Sequence, residues 1–403
     1  MKKFLNLYLD SYRGLSRPVW MLSLVILINR IGAMVVPFLS IYMTQSLHFS
    51  IKETGFVLSF FGIGAVLGSW IGGWLTDKIG FFKTQMWSLI LILPLYIILP
   101  ELKTVDSLAM GVFVLSLLAE IFRPANSVAI SYFARPENLT KAFSLNRMAI
   151  NLGFSIGPAL GGILASISYY FLFYGNAIGT FLAGVIFYVY FNNRKSQFNT
   201  SPNKVTDLHS PKPTKSPYKD RKMLLFAFLC ALYAICFFQL LSTLPLFYKE
   251  VHKMSEASIG IILAYSGFFV FLTEMLLVQI AEKKYSTSQA IIFGTLACGI
   301  SFVMLNLNYS MLMLYISISV LCVSEILAMP FMSTVIVKNS DENNRGAYMG
   351  LYSLSFAVAH IFSPFLGTFI VDHYGFEILW WATGIVSVLT ALGFYFLMKK
   401  ISA

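Results

Sequence analysis

Apolar stretches of about 20 residues, long enough to cross a bilayer as a helix, recur from Val19 to Met398 with short polar breaks between them. The pattern predicts spans at 19–46, 54–77, 81–100, 107–133, 142–168 and 170–191. Six more follow at 222–249, 256–281, 287–306, 309–337, 345–370 and 376–398. Between the two sets, residues 192–221 carry Pro202, Pro211, Pro213 and Pro217 among Ser, Thr and Lys, the composition of a flexible linker. The chain reads as an all-α membrane protein of twelve transmembrane helices: a six-helix bundle at 1–191, a linker at 192–221 and a second bundle at 222–403.

Composition agrees. Of the 403 residues 57% are hydrophobic and 12% charged, where a soluble protein carries about 25% charge. A net charge of +11 raises the question of a nucleic-acid partner. The distribution of Lys and Arg answers it. Lys52, Lys103, Lys249 and Lys253 stand alone in the odd-numbered loops, and Arg30, Arg123 and Arg147 lie within spans. The remaining 22 of 29 occupy the even-numbered loops, the linker and the two ends. That asymmetry puts both termini in the cytoplasm of an inner or plasma membrane and leaves no case for nucleic acid. Met1–Pro18 lacks a short apolar core with a cleavage site, so the first span is expected to act as the signal. Cys230, Cys236, Cys298 and Cys322 sit in apolar runs without a CxxC pair, which argues against disulfides or a metal site. There is no Walker loop, HExxH or GxSxG. The reading is therefore a non-enzyme without cofactor, and any uphill transport draws on an ion gradient.

One offset of 206 positions relates Tyr42 to Tyr248, Pro124 to Pro330, Leu145 to Leu351, Pro158 to Pro364 and Gly161 to Gly367. A duplicated six-helix unit joined by a linker resembles the layout of major facilitator transporters. Gly73-Trp74-Leu75-Thr76-Asp77-Lys78-Ile79-Gly80, at the end of span 2, resembles the loop-2 signature of that superfamily, G-x-x-x-D-R-x-G-R-R/K. Lys78 replaces the usual Arg, and Phe81 and Phe82 stand where basic residues are usual. The resemblance implies gating: Asp77 accepts hydrogen bonds from a helix N-terminus across the half-to-half interface, and Gly73 and Gly80 allow close approach and a turn. Gly157-Pro158-Ala159-Leu160-Gly161-Gly162 in span 5 is similar to the motif of drug:proton antiporters, which implies a pliable interface between the halves. Other strings resemble proton-coupled oligopeptide transporters. Phe122-Arg123-Pro124-Ala125-Asn126-Ser127 is like F-K-P-N-x-S, Ile150-Asn151-Leu152-Gly153 like I-N-x-G, and Glu325 precedes Pro330 at their spacing. Asn29-Arg30 falls where those proteins carry E-x-x-E-R, but the carboxylates are missing.

Charge at membrane depth is costly and is kept for function. Glu120 and Arg123, three apart on one helix, share a face and can pair. Substrate approaching Arg123 can then alter protonation of Glu120, although a static pair that only fixes packing fits the same spacing. Glu325 has no opposite charge on its own helix, so it is protonated or pairs across helices. It reads as a proton carrier or a ligand for a cationic group. Glu274 reads as a weaker proton carrier or a structural partner for a basic residue. Arg30 cannot lose its proton and needs a carboxylate or an anionic substrate. Asn29, Asn126, Asn151 and Gln239 are polar enough to line a cavity, and interhelical hydrogen bonds explain them equally. Arg147 reads as a snorkelling side chain, and His360 as a hydrogen-bonded packing residue.

The expected function is a secondary transporter of small amphipathic organic molecules, proton-coupled through Glu120, Glu325 and Glu274 and working by alternating access. Its expected partners are the substrate, protons and the lipid bilayer, and it works as a monomer. The span-5 motif points to export by proton antiport. The alternative is proton-driven import of peptides or peptide-like anionic or zwitterionic solutes.

Overall fold

The computed structural model describes residues 10, 12–32, 34, 35, 38, 39, 42–192, 216–307 and 310–402. Most of the predicted linker, including Pro202, Pro211 and Pro213, lies outside the described residues, as do Lys2 and Lys3. Helices α1 (Arg17–Ile31), α2 (Ile51–Ile79), α3 (Phe81–Ile98), α4 (Val105–Phe133), α5 (Leu139–Ile167) and α6 (Tyr169–Asn192) form the first half. The second half opens with α7 (Arg221–Glu250), then α8 (Glu256–Lys284), α9 (Thr287–Val303) and α10 (Met311–Lys338). The last helix, Arg345–Ser402, is 58 residues long, about 87 Å at 1.5 Å per residue, too long for one crossing. It breaks at Gly375, where φ is +82°, and its two arms are α11 and α12. The fold is the expected one, all-α with twelve spans in two six-helix pseudo-repeats.

Local sequence sets the starts of the helices. Ser50 and Glu53 form a capping box at α2, with the Glu53 amide donating to Ser50 Oγ at 3.2 Å. Asp220 caps α7 by accepting from the amides of Lys222 and Met223. Thr104 and Ser310 cap α4 and α10 at the 206-residue offset, and Pro124 and Pro330 lie inside those helices. Gly80, with φ +84°, turns α2 into α3 without a loop. Large apolar side chains such as Ile163, Ile178 and Leu389 point outward, as a lipid-facing belt requires.

Two spans expected to be continuous are interrupted. The first loses its helix at Gly32, and Asn176 of α6 accepts there from the amides of Met34 and Val35 at 2.6 and 3.1 Å. The seventh narrows to a 3₁₀ turn at Phe238–Leu240 and resumes at Thr243. These breaks match at the same offset. In lipid such breaks are tolerated where protein groups satisfy the freed backbone.

The halves meet through α2 and α4 on α11, and through α5 on α8 and α10. Named contacts run from mid-depth, where Gly62 faces Ile361, to the side that holds Asn192 and Ser216, hereafter the linker side. There Thr334 Oγ1 donates to Thr140 Oγ1 at 3.0 Å. At the opposite ends of α2 and α8, Gly55 and Gly260 stand in open space, with nothing within 4 Å of an added Cβ. The molecule is closed on the linker side and cleft on the other.

Candidate functional site

The first-half face of the cleft carries Arg30, Glu120 and Arg123. On α4, Arg123 Nη1 donates to Glu120 Oε2 at 3.0 Å, and the Arg123 side chain is 31% exposed. Arg30 sits in the last turn of α1, where a cation suits the exposed carbonyls. Its guanidinium lies 5.4 Å from the centre of the Phe154 ring. Its Nε is buried and, among the described residues, has no hydrogen-bond partner. Arg30 also lies within Coulombic range of Glu120, Arg123 and Tyr96. Two guanidiniums against one carboxylate leave this group one positive charge.

A second cluster joins the halves. Arg147 of α5, expected to snorkel, instead reaches across the interface with all three nitrogens. Nε bonds Glu274 Oε1 of α8 at 3.1 Å, Nη2 bonds Glu325 Oε1 of α10, and Nη1 meets Met329 Sδ at 2.8 Å. Asn151, one turn further along α5, donates from Nδ2 to the same Glu325 oxygen at 3.2 Å. Glu274 is fully buried, and its Oε2 has no partner among the described residues. One guanidinium here faces two carboxylates, so the cluster is neutral only with one proton on the pair. The ionic partner of Glu325 comes from the other half, which spacing along its own helix could not reveal.

The second-half wall of the cleft is aromatic. His360 of α11 stacks on Phe238 at the α7 break, ring centres 3.7 Å apart and planes 21° from parallel. It is exposed, yet within Coulombic range of Arg123, Glu120 and Arg30, so it faces them across the cleft. The packing role expected of it is thus only half of its situation.

Several polar residues expected at the cavity are occupied elsewhere. Asn126, 3% exposed, donates from Nδ2 to Asn146 Oδ1 at 3.1 Å and ties α4 to α5. Gln239, also 3% exposed, donates to the Ser363 carbonyl at 3.1 Å and accepts from Thr243, tying the α7 break to α11. Asn29 lies half-buried on α1.

On the linker side, Asp77 reaches across to the other half. Its Oδ1 and Oδ2 accept from the amides of Gly346 and Ala347 at 2.6 and 2.7 Å, at the N-terminus of α11. The chains cross there as bare backbone, since a Cβ on Gly73 would lie 2.6 Å from the Gly346 carbonyl and 2.9 Å from Gly350 Cα. Lys78 takes no part, its Nζ lying over the Trp74 ring at 4.7 Å. The end of the linker joins in: Tyr218, beside Asp77, has its hydroxyl pushed up to about 12 by burial and that negative charge. Tyr348 donates to Asp220 at 3.4 Å.

The span-5 glycines, by contrast, do not face the other half. A Cβ on Gly157 would lie 3.0 Å from the Arg30 carbonyl, and one on Gly161 3.1 Å from Met34 Cβ. That face of α5 packs the first half together along α1, and Pro158 lies within the same helix. The inter-half face is the one bearing Arg147, Asn151 and Ser155, with Gly267 of α8 against Ser155.

Known proteins share this layout. The family model described as Major Facilitator Superfamily matches residues 22–324 and 254–402. The chain is 26% identical over 357 residues to the uncharacterized MFS-type transporter YttB of Bacillus subtilis, covering 85% of each protein. It is 24% identical over 380 residues to the multidrug resistance protein MdtH of Blochmanniella pennsylvanica, covering 91% of this chain and 89% of that one. Among solved structures, the human organic anion transporter MFSD10 (TETRAN) aligns with a TM-score of 0.75 at 14% identity, over 94% of this chain and 99% of the other.

Proposed function

The chain belongs to the major facilitator superfamily, a family of multi-pass membrane transporters rather than enzymes, and on that premise we propose that it exports small amphipathic organic molecules in exchange for protons. It works as a monomer in the inner or plasma membrane, with both termini and the linker, and hence the linker side, in the cytoplasm. The observation that carries the coupling is Arg147 held between two carboxylates of the other half. Without a proton, both carboxylates hold Arg147 and the cytoplasmic side is shut. A proton entering from the open cleft onto the Glu274–Glu325 pair makes one of them let go. The halves then part on the cytoplasmic side, the proton leaves and cargo enters. Cargo at Arg30 and Arg123 competes with Glu120 for its arginine, which gives a second point of proton exchange. Asp77 and the Gly73–Gly346 crossing form the latch that opens and shuts with each turn. The name of the MdtH relative supports drug-like cargo and export.

A second reading, proton-driven import of peptides, is favoured by one contact. Asn151 and Glu325, from two separate peptide-transporter-like strings, meet at 3.2 Å. Proteoliposomes decide between them. Export predicts that a proton gradient, acid at the outer face of the protein, drives one or more of a panel of amphipathic drugs and dyes, anionic dyes and ethidium among them, toward that face and moves no labelled dipeptide. Glu325→Gln and Glu274→Gln should each uncouple that movement from the gradient. Full proton-driven transport by both variants would refute the coupling assignment.

A further inference from the structure

We propose that the cleft is built for a planar aromatic anion, its acid group on Arg30 and Arg123 and its ring on the His360–Phe238 stack; this rests on the transport reading above and names its cargo. The acid end follows from charge. Arg30 and Arg123 share the single carboxylate of Glu120, so the first-half face keeps one unmatched positive charge. Glu120 engages Arg123 through Nη1, and the rest of that part-exposed guanidinium is open to the cleft. Arg30 adds a buried Nε–H with no acceptor among the described residues. Native proteins leave few buried donors unmet, and one beside a cleft that admits solutes marks where an acceptor is missing. Guanidiniums supply planar, paired donors that match an acid group.

The ring end follows from shape. His360 and Phe238 are nearly parallel in a tight stack, and Phe356 meets the Phe238 ring edge-on at 6.2 Å and 74°. This makes a flat, braced wall on the half opposite the arginines. The titratable groups facing it are Arg30, Glu120 and Arg123. Aromatic rings dock on such walls by offset stacking, which a saturated ring does less well. A solute that meets both ends bridges the two halves. The matching interruptions of the first and seventh spans lie beside them, with Arg30 at one and Phe238 at the other. Paired interrupted helices are where transporters of this build hold their cargo. A cation would meet unmatched positive charge on the first-half face, and a neutral arene would leave the Arg30 donor unmet.

The test is binding of radiolabelled 1-naphthoate to the purified full-length protein in lipid nanodiscs. Competition by cyclohexanecarboxylate and by 1-naphthylmethylammonium is measured alongside. Naphthoate should bind about tenfold more tightly than cyclohexanecarboxylate, and naphthylmethylammonium should not compete. Arg30→Gln should weaken naphthoate about tenfold or more, the worth of one hydrogen bond to a charged group. Phe238→Leu should narrow the gap between the aromatic and saturated acids while keeping acid binding. Because Gly153 packs on Arg30, Arg30→Lys serves as the second variant. It keeps the charge, so anion preference should persist with lower affinity, and a thermal melt confirms that each variant is folded. Equal or tighter binding of naphthylmethylammonium overturns the proposal, as does unchanged naphthoate affinity in a folded Arg30→Gln. Ethidium driven by a proton gradient together with no naphthoate binding sinks the cargo class and leaves the transport reading standing. Naphthoate bound at this site but never carried by a proton gradient does the reverse.

Discussion

Replacing Arg147 with Met strips the only described ionic partner from two carboxylates, one of them fully buried. Breaking a buried ion pair by removing one partner costs about 3–5 kcal/mol. The low end applies here, because the Arg147 side chain is 15% exposed and solvent screens part of the interaction. The cost has a ceiling: a free glutamate has a pKa of about 4.3, so forcing a proton onto one at pH 7 costs about 3.7 kcal/mol. The cluster spans both halves only while the linker side is shut, so the loss falls on that state. A loss of about 3 kcal/mol moves the balance toward the linker-side-open form by about 150-fold.

Spin labels at Glu137 and Glu342, both exposed on the linker side of opposite halves, report the change by double electron–electron resonance. The four native cysteines are buried and free, so they compete little for label. Wild type should show the short distance and Arg147→Met mainly a longer one. In Arg147→Met the shut state must hold the extra proton, so acid favours closure, by up to about 1.4 kcal/mol per pH unit for one proton. Arg147→Met/Glu274→Gln/Glu325→Gln, a neutral cluster, should close again and lose pH dependence. An unchanged distance in Arg147→Met would refute the lock.

Other variants separate the parts. Asp77→Asn surrenders one of two charge-assisted acceptors and should weaken the shut state by about 1.5–3 kcal/mol; the same spin-label pair reads it, and Lys78→Gln serves as the silent control. Gly157→Leu should lower thermal stability by about 1–3 kcal/mol through overpacking against α1. A normal melt with lost transport would instead restore the inter-half reading of that motif. Gln239→Leu removes the side-chain hydrogen bonds to the Ser363 carbonyl and Thr243 and should cost about 1–3 kcal/mol of stability, seen as a lower melting temperature.

The spans, their number and the Asp77 contact were legible because each depends on local pattern. Twenty apolar residues, a basic loop or a glycine turn before a new helix can be read one segment at a time. Depth was legible too, since Glu120, Arg123 and Glu325 could be placed within spans by counting. What stands opposite a residue was not. Arg147 looked like a side chain bound for the headgroups because its partners lie 127 and 178 residues away. Asn126 and Gln239 read the same whether they face a cleft or a neighbouring helix, and both turned out to tie helices together. The span-5 glycines named a close contact but not the contact's owner. The interruption near Gly32 was hidden because the run stays apolar through it, and the amide that stabilises it, Asn176, comes from α6. His360 needed the opposing half in place before it could be seen to look at charge.

Where Gly73 passes Gly346 and Gly350, the two halves touch without side chains. A bearing of that kind has no rotamers to reset and no knobs to lift from holes when it parts. What changes hands is the pair of amide donors at Gly346 and Ala347, which Asp77 must yield to water and later reclaim. Because Asp77 already touches solvent, that water is at hand. In the proposed cycle the polar exchange at this crossing falls on one carboxylate, which wets as the halves part and dries as they meet.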